Sequence, residues 1–259
     1  MKKKIEIDIL FFVLMEAIYL LFLFKFNIIN IIISTIIVII IKPLLKKIIH
    51  TSFIKYMLLI IIIILTVIVS FKIINFITFN YLKNYSIYLL FLSLFFITFL
   101  LTTKGYHHYI KSLEIASYFI MFLKIISMIF LLPNLKIKFI NYNFFLNINY
   151  KQIIYALFLL IILELSINII TKKKICVRAH IFTTLNIFII QLFTILTVGN
   201  KLFYIYQYPF VNSLRQIKYL SFFEKMEGIL SYNYLLDYFF LFSFLIIIIK
   251  ELFFNYSTQ

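Results

Sequence analysis

The sequence predicts an all-α protein, a polytopic transmembrane helix bundle of about eight spans that forms a single transmembrane domain over residues 1–259. Hydrophobic residues make up 64% of the chain and charged residues 13%, whereas soluble domains are about half apolar and roughly a quarter charged. The chain also has only 3 Gly and 3 Pro. A soluble globular protein is excluded because there is too little polar surface to cover so much apolar mass, and disorder is excluded because it requires low hydrophobicity.

Eight apolar runs approach or reach the length of about 20 residues that a helix needs to cross the hydrocarbon core. In order, they cover about Ile9–Phe24, Ile28–Ile41, Tyr56–Phe71, Tyr85–Thr102, Leu113–Leu132, Ile153–Ile170, Ile181–Val198 and Ile229–Ile249. The first two runs are short and nearly contiguous. Helices are expected because the runs are continuously apolar, whereas the strands of a membrane barrel alternate apolar and polar residues.

The distribution of Lys and Arg residues predicts the orientation of the chain in the membrane. The net charge is +16, and the Lys and Arg residues form short clusters between the apolar runs, a pattern typical of contact with anionic lipid headgroups and not of nucleic-acid binding. With the N-terminus in the cytoplasm, 14 Lys and Arg residues fall on inside segments and 10 on outside segments. The sequence therefore predicts that both termini are cytoplasmic. The excess of Ile, Phe, Lys and Asn is typical of an AT-rich genome, such as that of a low-GC bacterium.

The fourth outside connection, Gly199–Gly228, is too polar to cross a membrane. It nevertheless contains the apolar stretches Tyr204–Val211 and Tyr219–Phe223. The pattern predicts one or two short amphipathic or re-entrant helices at the membrane surface. Pro209 is suited to the first turn of such a helix because its missing N–H would be unpaired there anyway.

Four charged residues lie within the apolar runs or at their edges, where each costs roughly 2.5–3.5 kcal/mol on insertion scales. They are Glu16, Lys124, Glu164 and Asp237. Glu164 is the strongest candidate for a ligand-binding or coupling residue, because it lies centrally in the sixth span and is followed by Asn168. Glu164 is predicted to face the bundle interior, where it either pairs with a cation such as Lys124, on a different helix, or lines a polar cavity.

Signals for catalysis or metal binding are weak. His107 and His108 are adjacent and point about 100° apart on a helix, so they cannot chelate one ion together. Cys176 is the single cysteine, and the chain contains none of the common nucleotide, zinc-protease or hydrolase motifs. Lys111 and Glu114 have the spacing of an interfacial ion pair. We expect no enzyme activity and no cofactor.

Two stretches resemble a known family, the germination permeases that form the B subunits of spore germinant receptors. The first stretch is Gly105–Leu135 and the second is Val198–Ile229. The matching positions are Gly105, Lys111 and Glu114 in the first, and Gly199, Pro209, Arg215, Glu224, Lys225 and Glu227 in the second. Glu164 also falls where the family tends to place an acid in its sixth span.

The resemblance implies the fold of the amino acid–polyamine–organocation superfamily, in a partial, amino-acid-permease-like form. That fold has two inverted five-helix repeats with broken first and sixth helices. It also implies that the protein senses or passes a small amino-acid-like germinant in the spore inner membrane, beside A and C type receptor subunits. The first and sixth spans contain neither Gly nor Pro, so the residues themselves predict continuous helices there.

Two alternatives stay open. One is a non-transporting structural or assembly subunit of a membrane complex, which the lack of helix-breaking residues favours. The other is a polytopic glycan polymerase or an acyl or glycosyl transferase, which would need catalytic polar residues in the long outer connection. Arg215, Glu224 and Glu227 are the candidates there.

Overall fold

The structure is a computed structural model that describes residues 2–48, 52–81, 86–139, 147–171, 175–217 and 226–257. The described residues are helical or irregular and contain ten α-helices and no sheet. The helices are α1 (Lys2–Ile18), α2 (Ile28–Ile48), α3 (Ser52–Asn80), α4 (Ile87–Thr103), α5 (Tyr106–Leu131), α6 (Tyr150–Thr171), α7 (Val177–Val198), α8 (Asn200–Ile205), α9 (Pro209–Leu214) and α10 (Met226–Ser257). This confirms the all-α class.

Eight of these helices coincide with the eight predicted apolar runs, but three of them continue well past the predicted ends. The second run was predicted to end at Ile41, whereas α2 continues through Lys42 and Pro43 to Ile48. The third was predicted to end at Phe71, whereas α3 continues to Asn80. The eighth was predicted to end at Ile249, whereas α10 continues to Ser257. In each case apolar residues follow the first cation, so the helix still has an apolar face to bury.

Five helices are long and apolar enough to cross a membrane, by length and composition. They contain the segments Ile28–Leu45, Phe53–Asn80, Tyr106–Asn134, Tyr150–Thr171 and Val177–Val198. The helix Ile87–Thr103 is apolar but shorter. The chain is therefore a multi-pass membrane protein by the composition of its helices.

Helices α1 and α10 lie at the centre of the bundle. Residues 10–19 of α1 are all buried, and α10 packs against α1, α3, α4 and α5. Helix α4 lies at the periphery and exposes apolar side chains such as Leu92 and Phe96, as expected of a surface in contact with lipid. Glu16 on α1 and Asp237 on α10 are consequently fully buried.

Successive long helices run in alternating directions, so their connections gather at two ends. The end of the bundle at which α1, α3, α5 and α7 finish is called the distal end. At this end Lys25 Nζ donates to the Tyr204 carbonyl at 2.7 Å, and Asn200 Nδ2 donates to the Phe139 carbonyl at 2.9 Å. These contacts join connections that the charge pattern predicts to lie on one side of the membrane.

The connection after α7 contains two short helices, as the sequence predicts. Gly199 has a φ of +88°, which only glycine adopts readily and which lets the chain turn from α7 into α8. Pro209 is the first residue of α9. Helix α9 packs Phe210, Val211 and Leu214 against the bundle, and its location at the membrane surface stays a prediction. The apolar stretch at 219–223 lies outside the described residues.

Candidate functional site

The first helix changes its winding before it ends. Residues Tyr19–Leu23 form a π-helical turn, which leaves carbonyl groups without their usual partners. Lys72 Nζ of α3 donates to the Leu21 carbonyl at 2.6 Å, and Gln191 Nε2 of α7 donates to the Phe26 carbonyl at 2.7 Å. The first helix is continuous from Lys2 to Leu23, as predicted, but its last turn is π-helical, and Lys72 stabilises this turn without Gly or Pro.

A cavity of about 300 Å³ lies against this turn at the distal end. Its walls come from the π-helical turn, α3, the segment around α9, and α10. Its polar and charged lining residues are Lys25, Lys72, Gln207, Tyr208, Tyr234 and Tyr238. The remaining walls are apolar and include five Phe side chains. An apolar cavity with a few convergent polar groups has the usual character of a small-molecule site.

Aromatic packing holds the cavity wall together. The Phe76 ring lies 5.0 Å from the Tyr208 ring and 5.2 Å from the Tyr238 ring, both edge-on. Phe210 lies 4.7 Å from Tyr234. Burial raises the pKa of Tyr208 to about 12, so its hydroxyl keeps its proton near neutral pH and can donate a hydrogen bond. The wall is thus a preformed aromatic surface with hydroxyl groups.

A buried ion cluster lies about one helical turn from the cavity, on the side away from the distal end. Lys124 Nζ is 2.8 Å from Glu16 Oε1 and 2.8 Å from Asp237 Oδ2. The three side chains are 3%, 0% and 0% exposed, respectively. Glu16 also accepts a hydrogen bond of 3.1 Å from Asn186 Nδ2. We call Glu16, Lys124 and Asp237 the lysine cluster; fully ionised, it carries a net charge of −1.

Helix α10 connects this cluster to the cavity. Tyr234 and Tyr238 line the cavity and flank Asp237 in the sequence. Asp237 Oδ1 is buried and has no hydrogen-bond partner among the described residues. A rotation or shift of α10 would therefore move the cavity wall and the ion cluster together.

A second ion cluster lies toward the opposite end and contains Glu164. Lys42 Nζ is 2.9 Å from Glu164 Oε1, and His180 Nε2 is 3.3 Å from Glu164 Oε2. Lys42 also donates to the Ile175 carbonyl at 2.7 Å. The predicted pairing of Glu164 with Lys124 is wrong, because α6 packs on α2 whereas α5 packs on α1 and α10. Glu164 does face the bundle interior, as predicted.

The other predicted site residues do not assemble around Glu164. Asn168 is half-buried one turn farther along α6 and is not part of the ion cluster. Lys111 and Glu114 do not approach each other within ion-pair distance among the described contacts, and Lys111 is exposed. Gly105 precedes α5 with a φ of +84°, so a backbone requirement accounts for glycine at this position.

The second family-like stretch is only partly described. Arg215 follows α9, is exposed, and donates to Asn212 Oδ1 at 3.2 Å and to Asn80 Oδ1 at 3.4 Å. Glu224 lies outside the described residues, as does Lys225 next to it. Glu227 belongs to the first turn of α10, but its side chain is outside the description.

Sequence reasoning missed four charged residues of these sites. It placed Lys25, Lys42 and Lys72 in connections and gave His180 no role. For Lys42 and Lys72 a signal was present, since further apolar residues follow each of them. Among the described residues, no group of three His, Cys, Asp or Glu side chains could hold a metal ion.

Comparison with known proteins finds no matching family model, no matching curated protein and no matching solved structure.

Proposed function

We propose that this chain is a permease-type membrane protein that recognises a small solute in the cavity at the distal end. The single observation that carries the proposal is the position of the cavity, against the π-helical turn of α1. Binding and conformational change, and not covalent chemistry, are its mode of action.

The irregular turn supports this role. Transporters of several folds bind their substrates where a membrane helix loses its regular winding, because backbone groups then become available inside the bundle. Here Lys72 holds the Leu21 carbonyl of the turn and Gln191 holds the Phe26 carbonyl that follows the turn, and both side chains come from helices that reach the distal end. Ligand binding has a direct route to these bonds, since Lys72 also lines the cavity.

The more specific form of the proposal follows the sequence resemblance. In it the chain has about eight spans with both termini in the cytoplasm, and it is a germinant-receptor subunit in a bacterial cell membrane or spore inner membrane. Its partners are A and C type receptor subunits, and its ligand is a small amino-acid-like germinant. Genes for such subunits beside this gene would support this form, and co-purification of the three proteins would test it directly.

A tryptophan reporter tests solute binding. The chain has no Trp, so Phe22→Trp introduces a single fluorophore at the cavity, where Lys72 Nζ lies 4.4 Å from the Phe22 ring centre. Trp retains this cation–π contact. Phe158→Trp is the matched control, because Phe158 is 47% exposed on α6 and does not line the cavity.

The purified variants are titrated with amino acids, small carboxylic acids, nucleosides and sugars. We expect at least one class to change the fluorescence of Phe22→Trp saturably and to leave Phe158→Trp unchanged. If every class leaves both reporters unchanged, or changes them equally, the cavity is not a solute site and the proposed function is wrong.

A further inference from the structure

We infer that the cavity selects a small organic anion, with a carboxylate on an aromatic or similarly apolar body. This inference rests on the proposed function and names the ligand class of the same cavity. It is drawn from the charges, the hydrogen bonds and the walls around the cavity.

The charges that line the cavity all have one sign. Lys25 and Lys72 are lining residues, and no Asp or Glu lines the cavity in the part of the chain that the structure describes. The nearest carboxylates of the lysine cluster, Glu16 and Asp237, are each 2.8 Å from Lys124. In a partly enclosed, aromatic-walled site, two ammonium groups attract an anion and repel a cation.

The two lysines are held in place and still have donors to offer. Lys72 donates to the Leu21 carbonyl at 2.6 Å and Lys25 donates to the Tyr204 carbonyl at 2.7 Å. An ammonium group has three N–H donors, so these backbone bonds orient each lysine without using all of its capacity. The Lys72 ammonium group is partly buried, which makes a charge-assisted hydrogen bond stronger there than at a fully exposed site, whereas the bond of Lys25 is exposed.

The walls and the volume define the rest of the ligand. Phe22, Phe76 and Phe210 offer apolar faces, and Tyr208 adds a hydroxyl donor. A volume of about 300 Å³ is at the lower end for small-molecule pockets. It fits one ring with a short acidic arm and is too small for a whole lipid.

Three isosteric probes separate the possibilities in the Phe22→Trp protein. Phenylacetate carries the anion, 2-phenylethanol is neutral and phenethylamine is a cation, all on the same ring. We expect phenylacetate to bind about 10-fold more tightly than 2-phenylethanol, because a hydrogen bond to a charged group contributes about 1.5 kcal/mol or more. Phenethylamine should bind most weakly of the three.

The double variant Lys25→Gln/Lys72→Gln tests the assigned groups. Glutamine keeps an N–H for each backbone carbonyl but removes both charges. The preference for phenylacetate over 2-phenylethanol, taken as the ratio of the two dissociation constants, should fall about 10-fold. Lys136→Gln is the control, since Lys136 is exposed at the same end and does not line the cavity.

The outcomes are distinct. Equal or tighter binding of 2-phenylethanol or phenethylamine overturns the anion inference but leaves the cavity a solute site. If dihexanoyl phosphatidylglycerol displaces phenylacetate at concentrations lower than phenylacetate itself needs for binding, the two lysines bind a lipid phosphate instead. This result would also overturn the anion inference. Loss of every signal, including the neutral probe and the wider solute panel, would mean that the proposed function itself has failed.

Discussion

Removing the lysine of the buried cluster and removing one of its carboxylates should have opposite consequences. Glu16 and Asp237 share Lys124 at 2.8 Å each, so the fully ionised cluster has one uncompensated negative charge in an apolar bundle. Lys124→Met keeps the length and volume of the side chain but leaves two carboxyl groups without a cation. Asp237→Asn keeps the shape of the carboxyl group and leaves one positive and one negative charge.

The expected changes in the free energy of unfolding follow from the burial of the lysine cluster. An isolated ionised group is not tolerated in such an interior, so a carboxyl group without a cation must take up a proton. At pH 7 this costs an ordinary carboxyl group about 4 kcal/mol. The unmodified cluster already holds one carboxyl group in excess of its cation, so Lys124→Met adds only one further carboxyl group without a countercharge. It should therefore cost about 3–4 kcal/mol, close to the 3–5 kcal/mol typical of breaking a buried ion pair. Asp237→Asn should be neutral or stabilising, because it removes the surplus charge.

The assay is thermal unfolding of the purified protein in one detergent, followed by size-exclusion chromatography. For Lys124→Met, we expect a midpoint roughly 6–16 °C lower, if about 2–4 °C corresponds to 1 kcal/mol at this chain length. The penalty should shrink by about 1.4 kcal/mol per pH unit as the pH falls from 7 to 5, because protonation becomes easier. Lys136→Met is the matched control, because it removes a lysine at an exposed position, and it should leave the unfolding midpoint almost unchanged.

The reasoning would be refuted if Asp237→Asn destabilised the protein as much as Lys124→Met. It would equally be refuted if the midpoint of Lys124→Met stayed within 1–2 °C, roughly the error of the measurement, of the unmodified protein. Either result would mean that the three groups do not share a dry interior.

Three further predictions concern other parts of the bundle. Glu164→Gln should lower the unfolding midpoint, because it leaves Lys42 buried without a countercharge. The double variant Glu164→Gln/Lys42→Met should recover most of this loss, and no recovery would show that the pair does not form. Gly199→Ala should cost about 1–2 kcal/mol in unfolding experiments, because φ is +88° there, whereas Gly228→Ala, inside α10 with open space around it, should cost nothing. In intact cells, an impermeant thiol reagent should leave Cys176 unmodified and a permeant one should label it; labelling by both would reverse the proposed orientation.

The sequence by itself determined the class of the protein and the location of its helices. Continuous apolar runs leave no other way to pair backbone groups in lipid, so a helix appears at each of the eight runs. The charged residues at Glu16, Glu164 and Asp237 were identifiable for the same reason, because charge within an apolar run is costly and must face the interior.

Only the tertiary structure decided which charges meet. Lys124 is closer in the sequence to Glu164 than to Glu16 or Asp237, and its pairing with the latter two depends on α5 packing against α1 and α10. The π-helical turn was also hidden, since Lys72, which donates to its Leu21 carbonyl, lies on a helix far away in the chain. Local composition governs whether a segment is helical in lipid, whereas ion pairs and cavities depend on helix neighbours and rotations, which composition does not encode.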